Sequence, residues 1–439
     1  ETNPVIPSVI DETSVTAIGG SAFYNCTGLT EIEIPSSVTT IGGSAFAGCI
    51  SLEKLTLNEG LTTLGSNCFQ NTIISSVNIP STLTAVDVPL YEPQGPFYNC
   101  KSLKNVTFND KTTMVVGHLF NGCVGLETIT IPDTITTIGN SAFYKCTGLT
   151  EIEIPSSITK IDNFAFYNCT GLTEIEIPSS VTTIGSSAFS GCTSLEKVIL
   201  NEGLTTLGKE CFANTIISSI NIPSTLRTIS VPVYQPRGPF YGSKTLKEAT
   251  IGDKITKIPN FLFDGCIALE TVNIPDTVNT IGNSAFSYCY ALTEVDIPYS
   301  VATIEAFAFE DCKSLKDVTI HNPYCAINNK NNTISNSATI HGYTPSTAKN
   351  YAQSYEREFV SLGSFTLGDV NEDGSINSSD ASKVLEEYAL IQTGAEPTFT
   401  EIQKISADVN KDYSVDSSDA SKILAYYADS STGKTPSWD

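Results

Sequence analysis

Histidine, methionine and tryptophan are nearly missing from this chain of 439 residues, which holds three His, one Met and one Trp. None of the histidines, His118, His321 and His341, has a Cys, Ser or carboxylate pattern near it that suggests a nucleophile with its base. Phosphate-cradling glycine loops and the HExxH zinc motif are absent as well. Basic residues are scarce: 24 Lys and Arg stand against 47 Asp and Glu, a formal net charge of −23. That argues against nucleic acid, whose phosphates demand Lys and Arg, and against an anionic membrane surface. No apolar run approaches the roughly 18 residues of a membrane span. The first residue is Glu1 rather than Met, which reads as a processed or trimmed chain whose signal peptide, if it had one, is gone. An acidic site assembled from residues distant in sequence would leave no motif, and nothing here points to one.

Cysteine, in contrast, is abundant at thirteen residues. Cys26, Cys49, Cys100, Cys123, Cys146, Cys169, Cys192, Cys266, Cys289 and Cys312 fall in one recurring slot, usually 23 residues apart, and Ser243 takes that slot once. A Cys that returns with a repeat is a packing position, because a free thiol behaves as a small buried hydrophobe. The expectation is a column of reduced core thiols, which suits an anaerobic setting.

The repeat itself is plain in "VTAIGGSAFYNCTGLTEIEIPSS" (Val15 to Ser37), "ITTIGNSAFYKCTGLTEIEIPSS" (Ile135 to Ser157) and "VTTIGSSAFSGCTSLEKVILNEG" (Val181 to Gly203). About thirteen copies of some 23 residues run from Val15 onward. Above them lies a second symmetry, because residues 15–157 return as 158–300 with an offset of 143. In each unit the Ile32/Glu33/Ile34 alternation is that of a half-buried strand. Pro35 ends it, since Pro cannot donate to a ladder. "VTTI" (Val38 to Ile41) is a second short extended stretch, and "GSAFYNC" is a tight turn, helical or 3-10 in kind, carrying an apolar Phe and Cys. One unit cannot bury its own apolar face, so copies stack into a continuous core with a parallel sheet along one side.

The pattern "LxxIxIPxxVTxIGxxAFxxCxx", carried over residues 15–325, resembles the BspA-like class of leucine-rich repeat. The resemblance implies a leucine-rich repeat solenoid with a parallel β-sheet on one face, short second strands, and turns or 3-10 elements. It also implies surface exposure and binding rather than one chemistry. Residues 1–14 read as an N-terminal extension or cap. "NSATIHGYTPSTAKNYAQSYEREFVSLG" (Asn336 to Gly363), within residues 326–363, resembles the cap that closes such arrays.

Two copies break the period in the same way. "VDVPLYEPQGPFYNC" (Val86 to Cys100) and "ISVPVYQPRGPFYGS" (Ile229 to Ser243) each carry about six extra residues. Tyr91, Tyr98, Tyr234 and Tyr241 stand there among prolines, a candidate platform for sugar faces. The alternative is a rigid ornament in which Phe97 and Phe240 are simply the repeat's core Phe. On the strands, Glu151/Glu153 and Glu174/Glu176 belong to adjacent copies and set like charges roughly 5 Å apart. Glu153 and Glu176 are therefore candidates for a cation or a basic protein, or else part of a solvated face copied by duplication.

Residues 364–439 are different. "DVNEDGSINSSD" (Asp369 to Asp380) and "DVNKDYSVDSSD" (Asp408 to Asp419) place oxygens at loop positions 1, 3, 5, 7, 9 and 12. Ca²⁺ takes six to eight hard oxygen ligands, and a twelve-residue loop at this spacing wraps them round one ion. The first loop offers Asp369, Asn371, Asp373, the Ser375 carbonyl, Asn377 and Asp380; the second offers Asp408, Asn410, Asp412, the Ser414 carbonyl, Asp416 and Asp419. Gly374 supplies the positive φ wanted at position 6. Tyr413 stands there in the second loop, so strain and distorted geometry are expected. Helices beginning inside each loop follow, in "ASKVLEEYA" and "ASKILAYYA", but no entering helix precedes Asp369.

Two loop–helix units joined by a connector with its own short helix ("PTFTEIQKISA", Pro397 to Ala407) resemble a type I-like dockerin over about residues 365–439. That resemblance implies two bound Ca²⁺ and docking into the cohesin module of a scaffoldin, in a cellulosome-type assembly on an anaerobic bacterium. Carried over by position, the cohesin-facing residues are Ser378, Ser379, Ser382, Lys383 and Glu386, with Ser417, Ser418, Ser421, Lys422 and Ala425 in the second unit. The whole reads as a secreted, non-catalytic binding protein mounted on a scaffold. The rivals are a polysaccharide-active enzyme using paired carboxylates and a carbohydrate-binding adhesin working through the aromatic loops.

Overall fold

The computed structural model describes residues 3–89, 93–232 and 234–438. The repeats form a solenoid of parallel strands. Four-residue strands Glu31–Ile34, Lys54–Leu57, Ser76–Ile79 and Asn105–Phe108 pair side by side on one face, with Ile32 opposite Leu55 and Ile34 opposite Leu57. Their burial alternates, so Ile32 and Ile34 point inward while Glu31 and Glu33 face solvent. The "VTTI" stretches make a second parallel ladder of two- and three-residue strands, such as Ala17–Ile18, Thr40–Ile41 and Thr63–Gly65. This ladder breaks after Ala85–Asp87 and again after Thr228–Ser230, at the two inserted loops.

One apolar core runs through the whole array, from Ile18 to Ala352. Its spine is a column of phenylalanines in which each ring stacks on that of the next coil. Phe143 and Phe166 lie 5.1 Å apart at 8°, and Phe286 and Phe309 lie 5.2 Å apart at 1°. Beside the spine, the thiols do more than fill space. Cys146 Sγ–H donates to the Phe120 carbonyl at 3.0 Å, Cys169 to Phe143 at 3.0 Å, and Cys312 to Phe286 at 3.1 Å. Where Ser243 replaces the thiol, its hydroxyl accepts the N–H of Leu246 instead. All thirteen cysteines are free, and Cys26 is the exposed one, because no earlier coil covers the first slot.

The "GSAFYNC" segment is a pair of turns without a helical turn. Ser21 and Asn25 hold φ values of 58° and 57°, and Ser141, Asn168 and Ser187 do the same in later coils, which stops any 3-10 run from continuing. The reversal aims alternate N–H groups at the neighbouring coil: Ser21 N–H meets Gly43 O at 3.0 Å, Phe23 meets Ala45 at 2.7 Å, and Asn25 meets Ala47 at 2.8 Å. Coils approach so closely nearby that a Cβ on Gly65 or Gly208 would stand 2.3 Å from the backbone of the preceding coil.

The first face is not one unbroken sheet. Thr128–Ile131 and Glu151–Ile154 keep the alternating burial but join no ladder. At the second of these, Glu151 and Glu153 stand beside Glu174 and Glu176 of the next coil, an unfavourable set of like charges. Where the opposite residue is Lys197, Glu174 pairs with it at 3.3 Å and the ladder resumes.

At one end Asn3 Oδ1 accepts the Thr30 and Glu31 N–H groups, and a small antiparallel pair, Val9–Ile10 with Thr13–Ser14, precedes the first coil. At the other, Thr339–Thr344 and Phe359–Ser364 add two further parallel strands after Asp317–Ile320. Helix α1 (Thr347–Ser354) links them, capped by Ser346 and burying Ala348, Tyr351 and Ala352. Three more helices follow: α2 (Ser378–Thr393), α3 (Glu401–Ala407) and α4 (Ser417–Ser431). They enclose a separate small core of Val370, Ala381, Val384, Ala407, Val409, Ala420 and Ile423.

Burial drives the thiols of Cys100 and Cys192 up to about 11 and about 12, and thiolate is the reactive form. Native protein treated with a thiol-specific disulfide reagent should therefore show one fast thiol, Cys26, with the rest reacting only on denaturation. Several fast thiols in the native state would contradict the buried ladder.

Candidate metal centre and docking surface

The two twelve-residue loops fold alike because the same side chains make the same short-range turns. In the first, Asp369 takes the N–H groups of Asp373 at 3.1 Å and Gly374 at 3.0 Å. Asn371 Oδ1 accepts from Asp373, and Asp373 Oδ1 from Ser375, both at 2.9 Å, while Asn377 Oδ1 accepts from Ser379 at 2.8 Å. Asp380 closes the loop by accepting Val370, Asn371 and Asn377 N–H groups at 2.8, 3.1 and 2.9 Å. The second loop repeats this with Asp408 on Asp412 and Tyr413, Asn410 on Asp412, Asp412 on Ser414, Asp416 on Ser418, and Asp419 on Asn410 and Asp416. Asn377 and Asp416 each cap the following helix in a capping box with Asp380 and Asp419, so α2 and α4 do begin inside the loops.

The electrostatics ask for a cation. Asp380 and Asp419 are 0% exposed, Asp408 1% and Asp369 7%, yet none joins an ion pair among the described residues. Buried charge without a counter-charge is costly. Burial pushes the Asp419 carboxyl up to about 6, and Asp408 and Asp412 add to the push. Among the described residues no three His, Cys, Asp or Glu side chains are drawn together as a ready metal cluster. The loop carboxylates are turned to backbone N–H groups, and Asn side chains and main-chain carbonyls complete each oxygen set. An all-oxygen set of this kind, carboxylate-rich and at this spacing, fits Ca²⁺.

The candidate docking residues are all on the surface. Ser378, Ser379, Ser382, Lys383 and Glu386 are exposed on α2, as are Ser417, Ser418, Ser421, Lys422 and Ala425 on α4. The two units differ behind that surface. Glu387 is buried and clamps the connector, accepting the N–H groups of Thr398 and Phe399 at 2.9 and 3.0 Å. Its counterpart Tyr426 stacks on Trp438 at 4.2 Å, and Lys422 Nζ donates to the Trp438 carbonyl at 2.8 Å. The last described residues are thus held beside the second unit.

On the array, the aromatic loops are not a matched pair of platforms. Tyr91 lies outside the described residues. Tyr98 and Tyr241 rest on the next coil, where a Cβ on Gly122 or Gly265 would collide with their rings. Tyr234 is 87% exposed. Asn121 and Asp264 pin the two inserts: Asn121 Nδ2 donates to Pro93 O at 3.0 Å, and Asp264 Oδ2 accepts Gly238 N–H at 3.2 Å. Burial lifts the Asp264 carboxyl to about 6, and its loop-pinning bonds account for its position. Glu153 and Glu176 are exposed and line a concavity of about 520 Å³ with Glu151, Glu174 and Lys197, and Asn201 Nδ2 donates to Glu176 at 2.9 Å.

Sequence reasoning missed a cleft of about 870 Å³ beside the second insert, lined by Phe164, Tyr167, Lys209, Glu210, Arg237 and Tyr241. Arg237 pairs with Glu210 at 2.8 Å and lies 4.6 Å over the Tyr241 ring. The signal was present in the duplication, because the matching residues of the first block are Ser21, Tyr24, Ser66, Asn67, Gln94 and Tyr98.

Comparison with known proteins matches two family models. The BspA-type leucine-rich repeat region matches residues 16–123, 93–160, 116–237 and 236–351. The dockerin type I domain, a calcium-binding type whose partner is a cohesin, matches residues 367–426. Among solved structures, a leucine-rich repeat protein from Bacteroides ovatus shares 27% identity at a TM-score of 0.54, over 81% of this chain and 91% of that one. A leucine-rich cell surface protein from Faecalibacterium prausnitzii shares 24% at 0.38, over 76% and 89%. No curated protein matches.

Asp380→Ala removes an acceptor for three backbone N–H groups together with a candidate ligand. Melting followed by helical circular dichroism in calcium should show a loss of about 3–5 kcal/mol in the helical region. Ser375→Ala keeps its backbone carbonyl and should stay within about 0.5 kcal/mol of the parent. Equal effects of the two changes would contradict the assigned roles.

Proposed function

Since this chain belongs to the BspA-type leucine-rich repeat family and carries a type I dockerin after the array, we propose that it is a secreted, non-catalytic binding protein mounted on a cellulosome-type scaffold. Residues 364–439 form the docking unit. Each of its two loops binds one Ca²⁺ through Asp369, Asn371, Asp373, Ser375, Asn377 and Asp380, or through Asp408, Asn410, Asp412, Ser414, Asp416 and Asp419. Calcium fixes the loops, the loops fix the starts of α2 and α4, and those helices present the serine-rich face to a cohesin. The observation that carries this reading is the near-identity of two exposed helix starts above two sets of buried, uncompensated carboxylates. The setting would be the outside of an anaerobic bacterium, where a row of free, buried thiols is at no risk.

The array holds the ligand surface. One observation favours a glycan as its ligand: the cleft at Phe164, Tyr167, Arg237 and Tyr241 combines ring faces with charged hydrogen-bonding groups. Rings stack on apolar sugar faces while such groups meet hydroxyls. The enzymatic alternative, built on Glu153 and Glu176, has less behind it, because both glutamates are exposed and the concavity of about 520 Å³ that they line offers no ring face to a sugar.

Two near-equal faces can meet one cohesin in either of two orientations. Binding calorimetry against a panel of type I cohesins should find that Ser378→Asp with Ser379→Asp costs only about 0.4 kcal/mol, the RT ln 2 of losing one of two modes. Ser417→Asp with Ser418→Asp should cost the same, and all four together should abolish binding. Loss of all binding from one pair alone means that a single face is used. Retention by the fourfold variant would overturn the docking face altogether.

A further inference from the structure

Position 6 of the second loop is the place where a tyrosine stands in a backbone conformation that suits glycine. Tyr413 has φ of 69°, against 84° for Gly374 in the first loop. Nothing within 4 Å would touch a Cβ on Gly374, so the first loop faces open space at this point. The second faces the repeat array. The Tyr413 ring meets Tyr299 edge to face at 5.9 Å and 77°. The Tyr299 hydroxyl donates to Asp408 Oδ2 at 2.9 Å, the same oxygen that accepts the Tyr413 N–H at 3.1 Å. Asp408 is position 1 of the loop, and among the described residues its counterpart Asp369 takes hydrogen bonds only from its own loop.

Other contacts continue the seam. Lys411 Nζ lies 4.5 Å over the Tyr324 ring, and Tyr324 meets Phe365 edge to face at 6.2 Å. On the last strand of the array, Gly363 leaves room for Ile402 of α3, whose Cδ1 would stand 2.8 Å from a Cβ there. The duplication supplies an internal control. Residue 299 answers to Ser156 in the first block, so the tyrosine is present in the copy that meets the loop and absent from the copy that does not.

We propose that the last coils of the array complete the second calcium site from outside. Tyr299 is a positioning residue. Its hydroxyl engages one lone pair of the Asp408 carboxylate and fixes that carboxylate's rotation before calcium arrives. Tyr413 keeps its unfavourable backbone conformation because its ring belongs to the seam. Calcium at the second loop and seating of the helical unit on the array are then one coupled equilibrium, and linkage makes the coupling reciprocal. The first loop, which has no such partner, stays independent. The consequence for the protein is that calcium sets the direction in which a docked array projects from its scaffold.

This inference rests on the reading of both loops as calcium sites, and one experiment separates the two ideas. Full-length protein stripped of calcium is titrated with CaCl₂ in a calorimeter, and its radius of gyration is followed by small-angle scattering. The parent should bind two ions and should expand on chelation. Tyr299→Phe keeps the ring and removes the hydroxyl, so one site should weaken about tenfold while the other is unchanged, as expected when an outer partner of a metal ligand is lost. Tyr413→Gly restores the usual loop residue. It should still bind two ions, with the second site weakened because unseating takes the Tyr299 hydroxyl from Asp408, and it should expand as the chelated parent does. Two unaltered sites in Tyr299→Phe, with no expansion in Tyr413→Gly, would overturn the coupling and leave the calcium sites standing. A parent that binds no calcium would overturn both.

Discussion

The stacking of one phenylalanine on the next fixes nearly everything else in the array. From Phe23 to Phe309 the rings lie face to face, 4.9 Å apart at the first pair. That spacing is close to the separation of paired strands, so ring stacking and backbone ladder enforce the same rise per coil. The spacing opens to 6.2 Å between Phe97 and Phe120 and to 6.3 Å between Phe240 and Phe263. Both wide gaps follow an inserted loop. The column tolerates the insert because the loop leaves on the outside while its own Phe stays in line. The thiol slot obeys the same rule: a side chain there must be small, and it gains by donating to the carbonyl of the ring-bearing residue one coil back.

A core so strictly periodic leaves the outward positions free to vary, and function is confined to them. The cleft at Phe164 and Arg237 and the seam at Tyr299 both arose where one block departed from its twin. Specific surfaces on this scaffold therefore come from differences between copies, while the repeats they share build the support.

Much of this was legible in the sequence. The strand alternation at Ile32 and Ile34, the thiol column and the loop–helix units follow from short-range pattern, because the groups concerned interact within one coil or between neighbouring coils. What was not legible is long-range or conformational. The turn at Ser21 and Asn25 is made by left-handed residues that Ser and Asn permit but do not announce. The thiol hydrogen bond needs the position of a carbonyl a full coil away. The contact of Tyr299 with Asp408 joins residues 109 apart. Its trace in sequence was indirect: a tyrosine where the other block has serine, and a tyrosine where the other loop has glycine. Each looked like a local defect, and together they form one interface.

The array is thus held by an apolar ladder, and its last coils meet a small helical unit that buries carboxylates. Differential scanning calorimetry of the full chain, with calcium and with excess chelator, tests that division most directly. The account predicts two transitions in calcium, with the chelator lowering or erasing the small one and leaving the large one near its original temperature. A single transition that chelator shifts as a whole would contradict it.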